Sequence, residues 1–347
     1  MTVKGEPPRQ HCDVVVVGAS AGGVEALRRL VAHLPVDLPA CLVVVLHVPS
    51  SGPSAMPQIL SRAGSLRAVH ATSGDDLEAG VIYVAPPDRH VLIDGHRLRL
   101  SAGARENGHR PAIDPLFRSA AAALGARVMG VVLSGVLDDG AAGLLRVKAA
   151  GGLAVVQDPS DALYPAMPLN AMAAVKVDHM LPVEAIAALI VAMAGTARVS
   201  APRSQDPQYA ADTEIDLIQR WPTSMHPDDG DPGDPTVYTC PDCSEVLHAI
   251  DEGQLRRYRC RTGHAWSPEA LQSAQSTVVE NALWAGLRSL DENASLATTM
   301  SAVAHLRGSM PAQQRLAERA SAAHGNAEIL RRMLANWGAD AEVAAET

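Results

Sequence analysis

The clearest chemical signature in this sequence is a serine in a glycine-rich turn. Ser20 stands in the sequence GASAG (18–22), between an apolar run at Asp13–Val17 and a helical pattern at Val24–Leu34. A sharp strand-to-helix turn of this kind exposes a hydroxyl, and the free amides that start the helix can stabilise an oxyanion. The motif therefore predicts a nucleophilic serine. The same glycines also suit a phosphate-binding turn or a tight packing turn, and the motif alone leaves these alternatives open.

A histidine and an aspartate follow two other predicted strands. His47 comes directly after the apolar run Leu42–Leu46, and Asp139 follows the apolar run Val128–Leu133. Ligands of open parallel sheets bind beyond the carboxyl ends of the strands, so these two residues and Ser20 are expected at one edge of the sheet. A lone His or Asp at a strand end is more often a cap or turn residue. Three complementary groups at three strand ends instead predict a catalytic triad.

The residue types assign the roles in that triad. Ser20 would attack an ester carbonyl, while His47 takes its proton and later gives it to the leaving alcohol. Asp139 would orient His47 and stabilise the imidazolium. The backbone amides of Ser20 and Val136 are expected to receive the oxyanion. Asp138 is the rival to Asp139 and ranks second, because the glycine follows Asp139.

A second cluster of chemically active residues lies near residue 250. The sequence CPDC (240–243) is followed, after sixteen intervening residues, by CRTGH (260–264). Three thiolates and one imidazole at this spacing can close a tetrahedral site, and zinc suits that set of ligands. Because the protein supplies all four ligands, no position stays open and a structural role is expected. The predicted ligands are Cys240, Cys243, Cys260 and His264.

The elements that must position these residues alternate along the chain. Short β-branched or apolar runs alternate with helical patterns, which predicts βαβ units and a largely parallel sheet. The fold class is therefore α/β, a doubly wound, mostly parallel sheet in three αβα layers. Further strands are expected at Val81–Val84, Val91–Ile93, Leu98–Leu100 and Leu153–Gln157, and helices at Asp114–Leu124, Ala141–Ala149 and Val183–Met193.

The pattern predicts four segments. Residues 1–197 form the catalytic domain, and residues 198–237, rich in Pro, Asp and Ser, form a linker in which Ile215–Ile218 could dock as one helical turn. A small zinc-ribbon-like module follows at residues 238–267. The apolar stripe in residues 268–347, broken at Gly308–Pro311, predicts a helical hairpin with a second helix at Ala312–Trp337.

Composition narrows the class of protein. The chain has 347 residues, 47% of them hydrophobic and 19% charged, which is typical of a globular protein. A formal net charge of −9 argues against nucleic-acid binding. Five cysteines, three of them clustered, favour a reducing compartment, and the N-terminus has no apolar secretory signal. The longest apolar run is too short to span a bilayer, so no membrane insertion and a cytoplasmic location are expected.

Five stretches, in order between Val14 and Met193, carry a family resemblance. They resemble the CheB protein-glutamate methylesterases of bacterial chemotaxis, and together they are highly specific. The stretches are GASAGGVEAL (18–27), LHVP (46–49), YVAPPDRH (83–90), IDPLFRSA (113–120) and DGAAG (139–143).

The resemblance implies a function. It implies hydrolysis of glutamate γ-methyl esters on methyl-accepting chemotaxis receptors, with release of methanol, and deamidation of receptor glutamines. It gives the catalytic roles to Ser20, His47 and Asp139, the residues that the strand ends indicate. The partner would be such a receptor or another methylated protein. The zinc module and hairpin would form a regulatory or docking element for a protein partner.

The sequence also departs from the family. Ala21 stands where members commonly have Thr, and Val136 stands where they commonly have Met. Because the first strand begins within the first fifteen residues, no receiver domain is expected before it, nor control by its phosphorylation. Of the remaining histidines, His70, His90 and His109 are expected at the surface or the substrate rim.

Two other classes of protein compete with the esterase. A nucleotide-binding Rossmann domain is disfavoured because Ser20 occupies the position of the middle glycine, and His47 replaces the acidic residue that would hold a ribose. A catalytically weak or inactive adaptor, binding a signalling partner through the zinc and helical region, is the second alternative. Covalent labelling of Ser20 by a fluorophosphonate discriminates against both.

Overall fold

The structure is a computed structural model that describes residues 9–11, 13–48, 52, 54–195, 197–199, 233–252 and 255–346. The chain divides into two compact units, Met1–Leu271 and Gln272–Thr347. The predicted catalytic domain and the cysteine-containing module both belong to the first unit. Within the described residues, none of the helices is long and apolar enough to cross a membrane.

Strands and helices alternate through the first 200 residues. They are β1 (Arg9–His11), β2 (Val14–Ala19), α1 (Gly23–Ala32), β3 (Cys41–Leu46), α2 (Met56–Ala63), β4 (Arg67–His70), β5 (Val81–Val84), β6 (His90–Asp94), β7 (Arg97–Ser101), α3 (Ile113–Leu124), β8 (Val128–Val132), α4 (Ala141–Ala149), β9 (Leu153–Gln157), α5 (Ala166–Ala174), β10 (His179–Leu181), α6 (Val183–Met193) and β11 (Ala197–Val199).

The central sheet is parallel. Among the described residues it contains seven strands in the order β10-β9-β8-β2-β3-β5-β4. The predicted doubly wound fold is confirmed. Two short antiparallel pairs, β1 with β11 and β6 with β7, lie outside this sheet.

The valine-rich strands form because both of their faces are buried. In β2, alternate residues enter opposite layers: Val15 and Val17 pack with α1, α2 and α6, whereas Val14 and Val16 pack with α3, α4 and α5. This alternation follows from the two-residue period of a strand. Leu27 of α1 and Phe117 of α3 are both fully buried, one on each side of the sheet. The layers are therefore αβα, as expected.

The strand order fixes where a site can form. The chain leaves β2 toward β3 on one side, and later returns to place β8 on the other side of β2. This reversal is a topological switch point, and the crevice beyond the carboxyl ends of such strands is the usual ligand site. The residues that follow β2, β3 and β8 meet at this edge.

A four-stranded antiparallel sheet follows the residues that are not described. Its strands are β12 (Asp234–Thr239), β13 (Val246–Glu252), β14 (Leu255–Cys260) and β15 (Ala265–Trp266). We call residues 234–267, which end just before the next helix, the four-stranded module. The predicted linker 198–237 was too long at its end, because β12 begins at Asp234. The pairing of β12 with β13 extends the sheet beyond the cysteine turns. The predicted helical turn at Ile215–Ile218 lies outside the described residues.

The second unit is a helical hairpin, as predicted. Its helices are α7 (Pro268–Leu306), which begins at the end of the first unit, and α8 (Met310–Glu346). They run antiparallel, because Arg331 of α8 pairs with Asp291 of α7 while Ser301 of α7 bonds to Gln313 near the turn. The predicted break holds, but Pro311 lies in the first turn of α8, where its missing N–H costs nothing.

Candidate active site

Ser20, His47 and Asp139 form one continuous hydrogen-bonded chain. The Oγ of Ser20 lies 3.1 Å from Nδ1 of His47, and Nε2 of His47 lies 2.7 Å from Oδ2 of Asp139. The side chains of His47 and Asp139 are only 7% and 2% exposed. With Nε2–H donating to the carboxylate, Nδ1 is free to accept the serine proton. The geometry is that of a nucleophile, a general base and an orienting acid.

The turn after β2 exposes the serine hydroxyl. Gly22 precedes the first residue of α1 and has φ = 73°, a left-handed conformation that strains other residues. A Cβ on Gly22 would also lie 2.6 Å from Oγ of Ser134. Gly135 is needed for space, because its Cβ would lie 2.9 Å from Cβ of Ser20. These two glycines allow the turns after β2 and β8 to pack against each other around Ser20.

Asp139 is held by the beginning of α3. Its Oδ2 accepts the N–H of Ile113 at 2.7 Å and its Oδ1 accepts the N–H of Asp114 at 3.2 Å. Asp139 thus caps a helix that has no side-chain cap of its own. Burial of the carboxyl opposes ionisation, but the hydrogen bond and charge of His47 and the Ile113 amide hold the pKa of Asp139 well below its usual value. The carboxylate is therefore ionised when His47 accepts a proton.

A second aspartate makes the reciprocal contact. Oδ1 of Asp114 accepts the N–H groups of Gly140 and Gly143 at the start of α4, at 3.1 and 2.6 Å. Burial and the neighbouring charge of Asp139 raise the pKa of Asp114 well above its usual value. Asp139 caps α3 and Asp114 caps α4, so these reciprocal hydrogen bonds hold the two helix starts together next to Asp139.

The rival aspartate points elsewhere. Oδ1 of Asp138 accepts the hydroxyl of Ser267 at 2.7 Å. Burial raises the pKa of Asp138 to about 7, although the hydrogen bond from Ser267 opposes the rise. The structure therefore brings Asp139, not Asp138, to His47.

The two expected oxyanion donors, the backbone amides of Ser20 and Val136, differ in whether they are already hydrogen-bonded. The N–H of Ser20 donates to the carbonyl of Ser134 at 2.9 Å, so it is already engaged, contrary to the expected role. The next amide, that of Ala21, donates to no group of the described residues, and its carbonyl is fixed by the hydroxyl of Ser134 at 2.8 Å. Val136 is 43% exposed, and its amide is likewise free among the described residues. The amides of Ala21 and Val136 are therefore the candidate oxyanion donors, because neither is already engaged among the described residues.

The three histidines expected at the surface or the substrate rim differ in position. His109 lies against His47, with ring centroids 3.7 Å apart and planes 12° from parallel. Burial, with a further contribution from the charge of His47, lowers the pKa of His109 to about 4, so it stacks as a neutral ring. The expectation for His90 was wrong: it is 1% exposed, with Nε2 3.0 Å from the carbonyl of Ala104. His70 is half-buried and lies 3.0 Å from the carbonyl of Ser54.

Sequence reasoning missed one residue of the site. The side-chain amide of Asn107 donates to Oδ1 of Asp139 at 3.3 Å. Asn107 has φ = 51° and is followed by Gly108, and the pair forms a tight turn. The Asn-Gly dipeptide is a turn signal that could have been read from the sequence. Nothing in it shows that the turn lies beside Asp139.

The four predicted metal ligands lie together. One ligand atom from each of Cys240, Cys243, Cys260 and His264 falls within 4.8 Å of all the others. The Sγ atoms of Cys243 and Cys260 are 3.6 Å apart, and Sγ of Cys260 is 3.5 Å from Nδ1 of His264. A tetrahedral zinc ion with Zn–S near 2.3 Å and Zn–N near 2.0 Å requires edges of about 3.8 and about 3.5 Å. The donor set and its dimensions therefore fit a tetrahedral metal ion.

Groups around the cluster support the same conclusion. Nε2 of His264 lies 3.8 Å from Oδ2 of Asp242, too far for a hydrogen bond but close enough for a charge interaction. The thiols share their protons unequally: hydrogen bonds from Cys260 and His264 lower the pKa of Cys240 to about 3, and the same contact with Cys240 raises the pKa of Cys260. The structure thus offers a cluster that could hold a metal ion.

Comparison with known proteins identifies the catalytic domain. The family model for CheB methylesterase matches residues 15–190. A protein-glutamate methylesterase/protein-glutamine glutaminase of Anaeromyxobacter dehalogenans is 45% identical over 176 residues, which are 50% of this chain and 52% of the relative. A Leptospira interrogans protein, whose name assigns it provisionally to the same class, is 37% identical over 180 residues, 52% of this chain and 93% of the relative.

A solved structure agrees. The catalytic domain of the Thermotoga maritima CheB methylesterase aligns with a TM-score of 0.50 and 28% sequence identity, covering 52% of this chain and 97% of that one. The match to the family model ends at residue 190, before the four-stranded module and the helical hairpin. Over residues 15–190, the chain belongs to the CheB methylesterase family.

Proposed function

We propose that this protein is a protein-glutamate methylesterase that hydrolyses glutamate γ-methyl esters on methyl-accepting chemotaxis receptors, with Ser20, His47 and Asp139 as its catalytic residues. The observation that carries the proposal is the hydrogen-bonded chain of 3.1 and 2.7 Å through these side chains. Its position at the switch point of the sheet and the family of the domain support the same conclusion. The names of the relatives also support deamidation of receptor glutamines as a second reaction.

The first half of the reaction forms an acyl-enzyme. The Oγ of Ser20 attacks the γ-carbonyl carbon while its proton passes to Nδ1 of His47. The carbonyl oxygen becomes an oxyanion that accepts hydrogen bonds from the amides of Ala21 and Val136. His47 then gives its proton to the leaving oxygen, the C–O bond breaks and methanol departs. For a glutamine substrate the leaving group is ammonia.

The second half restores the enzyme. Water attacks the acyl carbon and gives a proton to His47, which returns it to the Oγ of Ser20 as the acyl bond breaks. The product is a free glutamate side chain. In both halves the ionised Asp139 stabilises the imidazolium, and its helix-start amides keep it in place without further reorganisation.

We propose zinc as the metal of the Cys240, Cys243, Cys260 and His264 cluster. All four positions of a tetrahedral ion are taken by protein atoms, so no position is left for a substrate and the ion would be structural. It would cross-link the two turns that carry CPDC and CRTGH. The proposed location is the cytoplasm, whose reducing conditions keep the three thiols available to a metal.

The experiment is methanol release from methylated receptor cytoplasmic fragments. We expect the wild-type protein to release methanol and Ser20→Ala to lower the rate by at least about 10³-fold, because the nucleophile is lost. Ser160→Ala is the matched control, since Ser160 is an exposed serine in the loop after β9. Fluorophosphonate labelling of Ser20 is measured on the same samples.

The outcomes separate the two candidate functions. Labelling and methanol release that both depend on Ser20 support the esterase. Labelling without methanol release points to a different ester substrate. A folded, metal-loaded protein that neither labels nor releases methanol would overturn the esterase and favour the adaptor, which binds a signalling partner through the zinc and helical region.

A further inference from the structure

The loop between β7 and α3 connects the four-stranded module with the proposed triad. Residues 102–112 join β7 to α3, and we call them the 102–112 loop. Its backbone pairs with β15: the N–H of Asn107 donates to the carbonyl of Ala265 at 2.8 Å, and the N–H of Ala265 donates to the carbonyl of Arg105 at 3.2 Å. Glu106 and His109 also bond to each other through both backbone groups, which closes a tight turn. The loop is thus held by the edge of the module.

The side chain of Asn107 spans the distance from the module to the catalytic acid. Its Oδ1 accepts the N–H of Ser267 at 2.9 Å, and its Nδ2 donates to Oδ1 of Asp139 at 3.3 Å. An N–H group can only donate, so Ser267 requires the amide oxygen and thereby turns the NH₂ group toward Asp139. Asn107 is 5% exposed, which leaves little room for another rotamer.

Buried charge fixes the neighbouring residue of the same loop. The carboxylate of Glu106 accepts Nη2 of Arg118, in α3, at 2.7 and 2.8 Å. It also accepts Nη2 of Arg257, in β14 of the module, at 2.9 Å. Each of the three side chains is less than 5% exposed. Hydrogen-bonded buried charges resist displacement, because separating them leaves uncompensated charge.

The loop contacts both partners of the nucleophile. Asn107 donates to Asp139, and His109 stacks on His47 with ring centroids 3.7 Å apart. A second contact runs in parallel, from the hydroxyl of Ser267 to Asp138, the residue before the catalytic acid. The module is therefore connected to the side chain of Asp139 through Asn107, and it contacts the preceding residue, Asp138, through Ser267.

We propose that the four-stranded module contributes to the reaction at the esterase site. Asn107, held by Ala265 and Ser267, is a positioning residue for Asp139 and thus for His47. This inference rests on the proposed function. It assigns the module a role in the reaction of this chain, in addition to any part it plays in binding other proteins.

The test uses the rate of fluorophosphonate labelling of Ser20 as a function of pH. Asn107→Asp keeps the shape, the left-handed backbone and an oxygen for Ser267, but its carboxylate cannot donate to Asp139 and adds a negative charge. Asn107→Gly keeps the backbone and removes the whole amide. Both are expected to slow labelling at neutral pH by roughly 10- to 100-fold, the size of a lost hydrogen bond to a charged group.

The pH profile distinguishes a residue that positions Asp139 from one that only stabilises the fold. Without its fourth donor the carboxylate of Asp139 holds the imidazolium more strongly, so the midpoint of the labelling profile should move to higher pH. The shift should be larger in Asn107→Asp, which adds a charge. Arg256→Gln, on the exposed face of β14, is the control and should leave the profile unchanged. A lower melting temperature with an unmoved midpoint would overturn the proposal for Asn107.

A double-variant cycle tests the module itself. Cys260→Ser removes a proposed metal ligand, and hydrogen exchange of β13 and β14 shows whether the module has opened. If the module acts through Asn107, the double variant Cys260→Ser with Asn107→Gly should be labelled at Ser20 no more slowly than the slower of the two single variants. If the fold-losses in labelling rate of the two single variants multiply in the double variant, the link between the module and the triad is overturned. Failure of the proposed function is a separate result, because the wild-type protein would then not be labelled at Ser20.

Discussion

The seven-stranded sheet and the four-stranded module hold their shapes by different means. Every residue of β2 and β3 is buried, and hydrocarbon layers cover both faces of the sheet. In the module, five of the six residues of β12 are exposed. Among its described residues the buried ones are few and include two arginines: they are Cys240, Leu247, Arg257, Arg259, Cys260, Ala265, Trp266 and Ser267.

This difference explains why the two regions are joined through polar groups. A sheet that buries both faces gains enough hydrophobic free energy to fold by itself. A small sheet with one buried leucine does not, and such modules commonly depend on a metal ion. The module adds contacts through Glu106, Asn107 and Ser267 to the edge where the triad lies. Its order and the order of the site are therefore linked.

The largest expected effect is a loss of order in the module while the central sheet stays folded. Cys260→Ser, or removal of the metal by a chelator, should abolish the order of the module, because structural zinc sites contribute about 10 kcal/mol or more of binding free energy. Metal analysis should fall from about one zinc ion per chain to nearly none. Hydrogen exchange should then become fast in β13 and β14 and stay slow in β2, β3 and β8.

A second cysteine provides the control. Cys41 is buried in β3, away from the cluster, so Cys41→Ala should keep the full metal content. If the strands of the central sheet lost protection together with the module, the two regions would form one cooperative unit. The contrast drawn between them would then fail.

A smaller effect is expected from the buried charges between the regions. Glu106→Gln keeps the size of the side chain but leaves the guanidinium groups of Arg118 and Arg257 facing a neutral amide. Breaking a buried ion pair in this way typically costs about 3–5 kcal/mol. The loss should appear as a lower denaturant midpoint in urea unfolding.

The neighbouring arginine in β14 offers the matched comparison. Arg256 pairs with Asp251 at 2.8 Å, but both side chains are more than half exposed. Arg256→Gln should therefore leave the denaturant midpoint nearly unchanged, because an exposed ion pair is screened by water and salt. Equal losses in Glu106→Gln and Arg256→Gln would show that the buried pairs do not tie the module to the sheet.

The sheet could be predicted because its signals are local. Apolar runs bounded by glycine gave β5, β9, α4 and α6 with their observed limits. The elements that were not predicted, among them α2, β4, α5 and β10, are short or lie at the margin of the sheet. The hydropathy of Arg67–His70 has no strand pattern, and this strand forms because its backbone extends an existing edge beside β5. A tertiary contact of this kind leaves no local trace.

The site was predictable only where it follows a strand or a motif. Ser20, His47 and Asp139 stand at strand ends, and the metal ligands stand in two short motifs. The contact of Asn107 with Asp139 depends on Ser267, which lies 160 residues away in sequence. Hydrogen bonds between distant loops arise from packing, which periodicity does not encode. The engaged amide of Ser20 was missed for the same reason, because its acceptor belongs to the turn after β8.

The smallest expected effect concerns the hydrogen bond from Ser267 of the module to Asp138, the residue before the proposed catalytic acid. Burial raises the pKa of Asp138 from 3.8 to about 7, and Ser267 donates to its Oδ1. A carboxyl with a raised folded-state pKa binds more protons when folded than when unfolded. Its contribution to stability is therefore present at low pH and is lost as the pH rises from about 4 to about 7.

Asp138→Asn tests this contact, because the amide oxygen can still accept the hydroxyl of Ser267 but cannot ionise. The variant should gain about 1–2 kcal/mol relative to the wild-type protein between pH 5 and pH 8, less than the full shift would give, since Asp138 keeps partial contact with water. Urea unfolding of both proteins at the two pH values measures the difference, and all other titrating groups cancel in it. A relative stability that does not change with pH would mean that Asp138 is solvated, and that the module does not cover the loop before the catalytic acid. The link between the two regions would then depend on Glu106 and Asn107 alone.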